Sequence, residues 1–189
     1  MKVLLACEFS QIVTKAFRDK GHEAYSCDLL PTEGNPDWHI QDDVLKHLDD
    51  GWDLMIAHPP CTYLANSGVR WLFTQEDRIE KMAQAVNFFK RLWFSGIHKI
   101  AMENPIPHPY GITKINVGKY NQIIQPWQFG HGETKATCLW LKNLPLLQPT
   151  HIVDGRVARV HRESPSPDRW KNRSRTYQGI AEAMANQWG

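Results

Sequence analysis

The sequence predicts an α/β fold: a mostly parallel sheet with helices on both faces and a late antiparallel hairpin. Three observations carry this. Short, continuously apolar runs alternate with helical patterns, and such runs suit strands buried on both faces of a sheet. The runs end on polar or unusual residues: Cys7-Glu8-Phe9-Ser10, Asp28, His58-Pro59-Pro60-Cys61 and Glu103-Asn104-Pro105. Two further strand-like segments stand close together late in the chain, separated by Gly130-His131-Gly132-Glu133-Thr134-Lys135.

Lys2 to Cys7 is apolar and reads as the first strand; Ile12, Val13, Ala16 and Phe17 then fall at helical spacing before Gly21 stops the helix. His22 to Asp28 reads as a second strand closing on an acid, followed by a Pro/Gly-rich loop from Pro31 to Pro36. A short helix is expected over Asp43 to Leu48. Trp52 to Ala57 is a third buried strand, stopped by His58-Pro59-Pro60. Glu76 to Phe94 is the longest helical pattern, with Ile79, Met82, Ala83, Val86, Phe89 and Trp93 on one face. Lys99 to Met102 forms a fourth short strand. A Pro/Gly-rich loop over Pro105 to Gly118 precedes two strands, Ile123 to Phe129 and Ala136 to Leu141. Gln148 to Arg175 has few apolar residues and reads mostly as loop, before a closing helix from Gln178 to Gln187.

With 189 residues, 42% hydrophobic and 22% charged, the chain suits one domain, 1–189, with its own core. No apolar stretch approaches the roughly 20 residues needed to cross a bilayer, and the N-terminal run breaks too early for a signal peptide. A cytoplasmic protein without a membrane partner is therefore expected. The four cysteines form no Cys-x-x-Cys pair and no compact Cys/His cluster, which argues against a disulfide framework and a structural metal. Net charge is only +2, but from Arg156 to Arg175 seven basic residues face two acidic ones. The basic charge is thus local, and a solvated basic loop is the plain alternative to a phosphate-binding one.

In parallel sheets of this kind, chemistry collects at the carboxyl ends of strands. The most informative end is His58-Pro59-Pro60-Cys61-Thr62-Tyr63, where a Pro-Pro turn fixes the backbone and presents a thiol. Glu103 ends the neighbouring predicted strand. A carboxylate alone would raise the thiol's pKa, so the pair makes sense with a cation or a substrate between them. Tyr63, Asn66 and Ser67 either line the pocket or start a helix with Asn66 or Ser67 as its cap. His58 either hydrogen-bonds a substrate or is satisfied by backbone groups. Trp71, Trp93, Trp127, Trp140 and Trp188 lie in amphipathic or strand contexts and most of them read as core, whereas Trp170, between Arg169 and Lys171, can stack on a base or anchor a loop.

The order of these strand ends resembles the DNA (cytosine carbon-5) methyltransferases, whose catalytic strand ends read Pro-Cys and Glu-Asn-Val. Glu8-Phe9-Ser10 stands where that family has its cofactor loop, Asp28 where it has an acidic ribose contact, and Asp42-Asp43-Val44 where an aspartate faces adenine. Pro60-Cys61 and Glu103-Asn104 match the catalytic pair. Gln125-Pro126-Trp127-Gln128-Phe129-Gly130 is similar to the strand leading to the family's Arg-rich element, and Gly179 to Ala185 to the helix beside the cofactor.

The resemblance implies a Rossmann-like, S-adenosylmethionine-dependent methyltransferase fold in a minimal form, with 148–177 in place of a recognition domain. It implies a catalytic set of Cys61, Glu103 and Lys135. Glu8, Phe9, Ser10, Asp28, Asp43 and Pro59 would face the cofactor, and Pro60, Asn104, Arg169, Arg173 and Arg175 the substrate. Cys61 would add to carbon 6 of cytosine in DNA while Glu103 steadies the base. The sequence departs from the pattern in its glycine-free loop Cys7-Glu8-Phe9-Ser10-Gln11, in Glu133-Thr134-Lys135-Ala136-Thr137 where the family has Gln-x-Arg-x-Arg, and in Pro105 after Glu103-Asn104. These departures and the missing domain keep two alternatives open: a free pyrimidine nucleotide as substrate, or a catalytically silent protein that binds nucleic acid or a protein partner.

Overall fold

A computed structural model describes residues 1–111 and 118–189. The part of the expected 105–118 loop at 112–117 lies outside the described residues. The strands are β1 (Lys2–Ala6), β2 (Glu23–Cys27), β3 (His39–Ile40), β4 (Leu54–Ala57), β5 (Lys99–Pro105), β6 (Gln122–Ile124) and β7 (Thr137–Lys142). They form one seven-stranded sheet in the order β3-β2-β1-β4-β5-β7-β6. Strands β1 to β5 run parallel, and β7 is inserted antiparallel between β5 and β6. The α/β, mostly parallel architecture with a late antiparallel hairpin is the one the sequence predicts.

Alternate residues of β1 enter two separate cores. Val3 and Leu5 pack with α1 (Ile12–Asp19) and the last helix, whereas Leu4 and Ala6 pack on the side of α2 (Arg78–Trp93). Both faces of the sheet are therefore covered, which explains why β1 and β4 read as unbroken apolar runs. After β7 come two short helices, α3 (Arg159–Arg162) and α4 (Arg169–Ser174), and the closing helix α5 (Gln178–Trp188). Helix α5 starts tight against the 129–131 turn: Gly179 N donates to His131 Nε2 at 3.0 Å, and a Cβ on Gly179 would run into the Phe129 carbonyl. Among the described residues, no helix is long and apolar enough to cross a membrane.

Several local expectations are corrected. The second late strand pair begins with β6 at Gln122–Ile124 only, because Pro126 lacks the N–H a ladder needs and opens a 3-10 turn over Pro126–Gln128 with a Gln125/Gln128 capping box. The helix expected over Asp43 to Leu48 is a 3-10 turn, Val44–Lys46, capped by Asp43. The 3-10 segment Asn66–Phe73 is preceded by Ala65 with no side-chain cap, so neither Asn66 nor Ser67 caps it. Trp71 is 38% exposed and not core, while Trp140 and Trp188 are buried as expected. The 148–175 segment is mostly loop and largely exposed, as expected, with two short helices, α3 and α4, and isolated bridges to the body at Phe129–His151 and Glu133–Val157; it lies over the body as a strap.

Candidate functional site

Register alone assembles the site. The last ladder pairs at the carboxyl edge are Ala6 with Cys27, Ala6 with Ala57, and Ala57 with Met102. One residue further along the four strands stand Cys7, Asp28, His58 and Glu103, in a row across the edge. Backbone bonds extend the ladders into this row: Cys7 N donates to Cys27 O at 2.7 Å and His58 N to Ala6 O at 2.9 Å. Strand β5 continues past β4 because β7 pairs with it on the other side, Glu103 facing Leu139 and Asn104 facing Cys138. Glu103 is therefore held in a strand beside the Pro-Pro turn.

Above this edge lies a cleft of about 130 Å³, lined by the Cys7–Ser10 turn, the His58–Cys61 turn, Glu103, Pro105, Lys135 and the Arg173–Thr176 stretch of the strap. Of the residues singled out from sequence, it brings together Glu8, Phe9, Ser10, Pro59, Pro60, Cys61, Glu103, Lys135, Arg173 and Arg175. Asn104 lies behind it, 2% exposed, with its Nδ2 donating to the Pro59 carbonyl at 3.1 Å. Asp28, Asp43 and Arg169 are outside this lining. Asp28 and Asp43 lie close enough to Cys7 for their charges to raise its thiol, a smaller effect than that of burial. Arg169 is turned away, its Nε donating to the Glu163 carbonyl at 2.7 Å.

The glycine-free turn keeps the backbone shape that glycine would ordinarily supply. Cys7 and Gln11 both adopt left-handed conformations, with φ of 59° and 56°. Gln11 is locked by its amide, which donates to Ser26 Oγ at 2.9 Å and to the Asn35 carbonyl at 3.0 Å and accepts from Asn35 N at 2.7 Å. Glu8 turns inward. Its carboxylate accepts from Val13 N at 2.7 Å, Thr14 N at 3.1 Å and Thr14 Oγ1 at 2.6 Å, filling the N-terminus of α1 with the chain's own anion. The side chain of Glu8 is thus committed to the helix, and what the turn offers a ligand comes from its backbone, Phe9 and Ser10.

Cys61 sits at the start of a tight turn whose carbonyl accepts from Leu64 N at 3.0 Å and Ala65 N at 2.9 Å. Burial raises its thiol above the ordinary value, and the charges of Lys135 and Arg173 pull it back down. Lys135 is held by a bond from Nζ to the Arg175 carbonyl at 3.1 Å. Arg173 Nε is buried and has no hydrogen-bond partner among the described residues. The strap thus brings Arg173, singled out from sequence as a substrate residue, into the lining beside Lys135.

Glu103 and His58 form a pair that sequence reasoning did not find: His58 Nδ1 lies 2.8 Å from Glu103 Oε2, and their side chains are 13% and 12% exposed. For His58, burial pushes the imidazole down, but the charge and hydrogen bond of Glu103 more than offset it and leave it above its ordinary value. For Glu103, burial pushes up, but His58, then Lys135 and a bond from Thr176, hold it below the usual carboxylate range. The signal was present in the His-Pro-Pro-Cys turn, yet only strand register shows which carboxylate the histidine meets. Arg78 was missed too. Buried on α2, it donates from Nη2 to the Thr62 carbonyl at 2.6 Å and lies over the Tyr63 ring, so it pins the turn after Cys61.

The strap closes the site from above. Arg175 makes a forked pair with Glu33, Nε to Oε2 at 3.1 Å and Nη2 to Oε1 at 2.6 Å, and Trp170 lies against Phe9 with ring centroids 6.0 Å apart. Arg159 and Tyr177 both bind Glu133.

No protein-family model and no curated protein matches the chain. Among solved structures, a candidate DNA modification methyltransferase encoded within an E. coli prophage superposes with a TM-score of 0.51 at 12% identity, over 87% of this chain and 56% of that one. The methyltransferase EhMeth of Entamoeba histolytica gives a TM-score of 0.46 at 14% identity, over 81% of this chain and 58% of that one. The chain spans little more than half the length of either structure. The fold is thus the Rossmann-like α/β architecture of the prophage protein.

Proposed function

We propose that the chain is a single-domain methyltransferase, 148–177 being a strap in place of a recognition domain, that uses S-adenosylmethionine to methylate carbon 5 of cytosine in DNA. The observation that carries this reading is one cleft holding Cys61 with Lys135 and Arg173, whose charges lower its thiol, and the Glu103 carboxylate at the end of the neighbouring strand. The residues beside it fit the cofactor: a left-handed turn that lets backbone approach a ligand, acids at Asp28 and Asp43, and Leu29, 73% exposed, offering an apolar face next to Asp28. Phe9, Ser10, Asp28, Asp43 and Pro59 would hold it, with Glu8 shaping the turn. When bound, it supplies an electrophilic methyl group.

The chain's own residues do the rest. Lys135 and Arg173 stabilise the Cys61 thiolate, which adds to carbon 6 of the base and makes carbon 5 nucleophilic. Glu103, with Asn104 behind it, fixes the N3 edge where charge develops. After methylation a water molecule takes the carbon 5 proton, the C5–H pair re-forms the C5–C6 double bond, and the S–C6 bond breaks to release the Cys61 thiolate. Inside a duplex the base must first be flipped out, at a cost of about a few kcal/mol.

A free pyrimidine nucleotide is the second reading. The observation favouring it is that Arg159, Arg169 and Arg175 are spent on Glu133, the Glu163 carbonyl and Glu33, which leaves the strap fewer cations for a phosphate backbone. The experiment offers labelled S-adenosylmethionine with duplex DNA, single-stranded DNA and deoxycytidine monophosphate in parallel, with Cys61→Ala as control. Label on carbon 5 that disappears in Cys61→Ala supports the chemistry and selects the substrate. A folded protein that binds no S-adenosylmethionine and labels nothing overturns it.

A further inference from the structure

The Cys61 chemistry leaves one buried group unused. His58 is bound through Nδ1 to Glu103, and its Nε2 is buried with no hydrogen-bond partner among the described residues. A buried imidazole with one nitrogen on a carboxylate and the other on nothing is costly unless the pair has a task. It stands at the centre of the row across the sheet edge, one residue before the Pro-Pro turn that presents Cys61, so movement of either partner would be felt at the thiol.

Addition of a thiolate to carbon 6 pushes an electron pair through the ring. The S–C6 bond forms, the C5–C6 pair moves to C4–C5, and the C4–N3 pair comes to rest on N3, which must take a proton. A carboxylate held ionised by its neighbour has no proton of its own to give. We propose that His58 is a positioning residue for this reaction: through its Nδ1–H bond it fixes Glu103 against the base and stores the proton that Glu103 relays to N3 when Cys61 adds. The proton moves from Nδ1 to Glu103 and from Glu103 to N3, and returns the same way when Cys61 is expelled. The proposal rests on the cytosine reading above.

The charged groups facing His58 are Glu103 on β5, Glu8 in the β1–α1 turn and Lys135 before β7, with Arg173 and Cys61 in the same cleft. The two acids favour the imidazolium and Lys135 opposes it. The protein therefore holds its imidazolium past the pH at which a free histidine releases it, while turnover needs Cys61 deprotonated. Methyl transfer should be bell-shaped in pH, Cys61 setting the rising limb and His58 the falling one.

The test has two arms on the full chain. NMR titration of the ligand-free protein should show the His58 imidazole titrating above its ordinary value, and Glu103→Gln should bring it down. In steady-state methyl transfer, His58→Gln should lower kcat by about 10²-fold, leave KM for the substrate nearly unchanged and abolish the falling limb. His58→Asn can still donate to Glu103 but stores no proton; it should keep KM and lose kcat in the same way. An active wild type alongside a His58→Gln protein with full kcat and an unchanged pH profile would overturn the proposal and leave the cytosine chemistry standing. So would a His58 titration indifferent to Glu103→Gln. A wild type with no transfer to any substrate would overturn the cytosine chemistry and this proposal together. Should His58→Gln not fold, the wild-type titration and the falling limb decide alone.

Discussion

Glu8 is the residue whose role most cleanly separates a structural reading of the glycine-free turn from a ligand-binding one. The perturbation is Glu8→Ala. The carboxylate is 4% exposed and accepts three hydrogen bonds at the start of α1, two of them from the backbone amides of Val13 and Thr14. The Thr14 hydroxyl can turn elsewhere, but the two amides cannot, and each buried donor left unpaired costs about 1–3 kcal/mol. Loss of the negative charge at the helix N-terminus adds about 0.3–1 kcal/mol. An ordinary N-cap substitution costs about 1 kcal/mol, so Glu8→Ala should lie well above it, at about 3 kcal/mol or more. For a chain of this size each kcal/mol moves Tm by about 2–4 °C, so a fall of about 6–12 °C is expected. Glu8→Gln keeps one oxygen acceptor and should lose less. The assay is urea and thermal unfolding followed by circular dichroism, paired with calorimetry of S-adenosylmethionine at a temperature where both variants are folded. A loss under about 1 kcal/mol would refute the capping argument. A normal Tm with lost cofactor affinity would make Glu8 a ligand contact instead.

Three further outcomes are expected. At Cys7, whose φ is 59°, a β-branched side chain strains the left-handed backbone, so Cys7→Val should cost at least about 2 kcal/mol in urea unfolding while Cys7→Gly stays within about 1 kcal/mol of wild type. Alkylation of Cys61 by iodoacetamide should accelerate well into the alkaline range, because burial raises the thiol, and Lys135→Ala or Arg173→Ala should each slow it severalfold at fixed pH by removing a charge that lowers it. The His58–Glu103 pair should shape Tm against pH: the raised imidazole contributes stability that is full below its unfolded pKa and lost as pH rises through the folded value, and the lowered carboxyl contributes stability that is full above its unfolded pKa and lost as pH falls through the folded value. Glu103→Gln should flatten both slopes and cost about 3–5 kcal/mol near neutrality, the usual result of stranding one member of a buried pair.

What was legible in the sequence was what depends on local pattern. The strands β1 and β4 are apolar runs because both sheet faces are covered, and the period of α2 picks out Met82, Val86 and Phe89 correctly, although Ile79 and Ala83, expected on the same face, are exposed. Strand ends were legible for the same reason, and in a parallel sheet strand ends are where the cleft forms, so Cys61 and Glu103 could be placed together before any contact was known. The two-residue β3 has no period to show, and the strap has few apolar residues to reveal its packing; its ties are single long-range contacts such as Arg175 to Glu33 and Trp170 to Phe9. Sequence reasoning took the strap's charge as a surface for phosphate, whereas Arg173 lines the cleft with Cys61 and has its Nε buried there.

The same contrast explains how a turn without glycine can serve where close backbone approach is needed. Glycine adopts a left-handed conformation at no steric cost, whereas Cys7 and Gln11 must be held there at about 1–2 kcal/mol each. Gln11 is tied by three hydrogen bonds to β2 and the following loop, and Glu8 anchors the turn to α1 between the two strained residues. Those bonds are of the size needed to offset the strain, at about 0.5–1.5 kcal/mol for a neutral bond and about 1.5–3 for one to a charged group. The turn is therefore held by side-chain bonding, and Glu8, expected from sequence as a cofactor contact, acts with Gln11 as one device that fixes the Cys7–Ser10 side of the cleft.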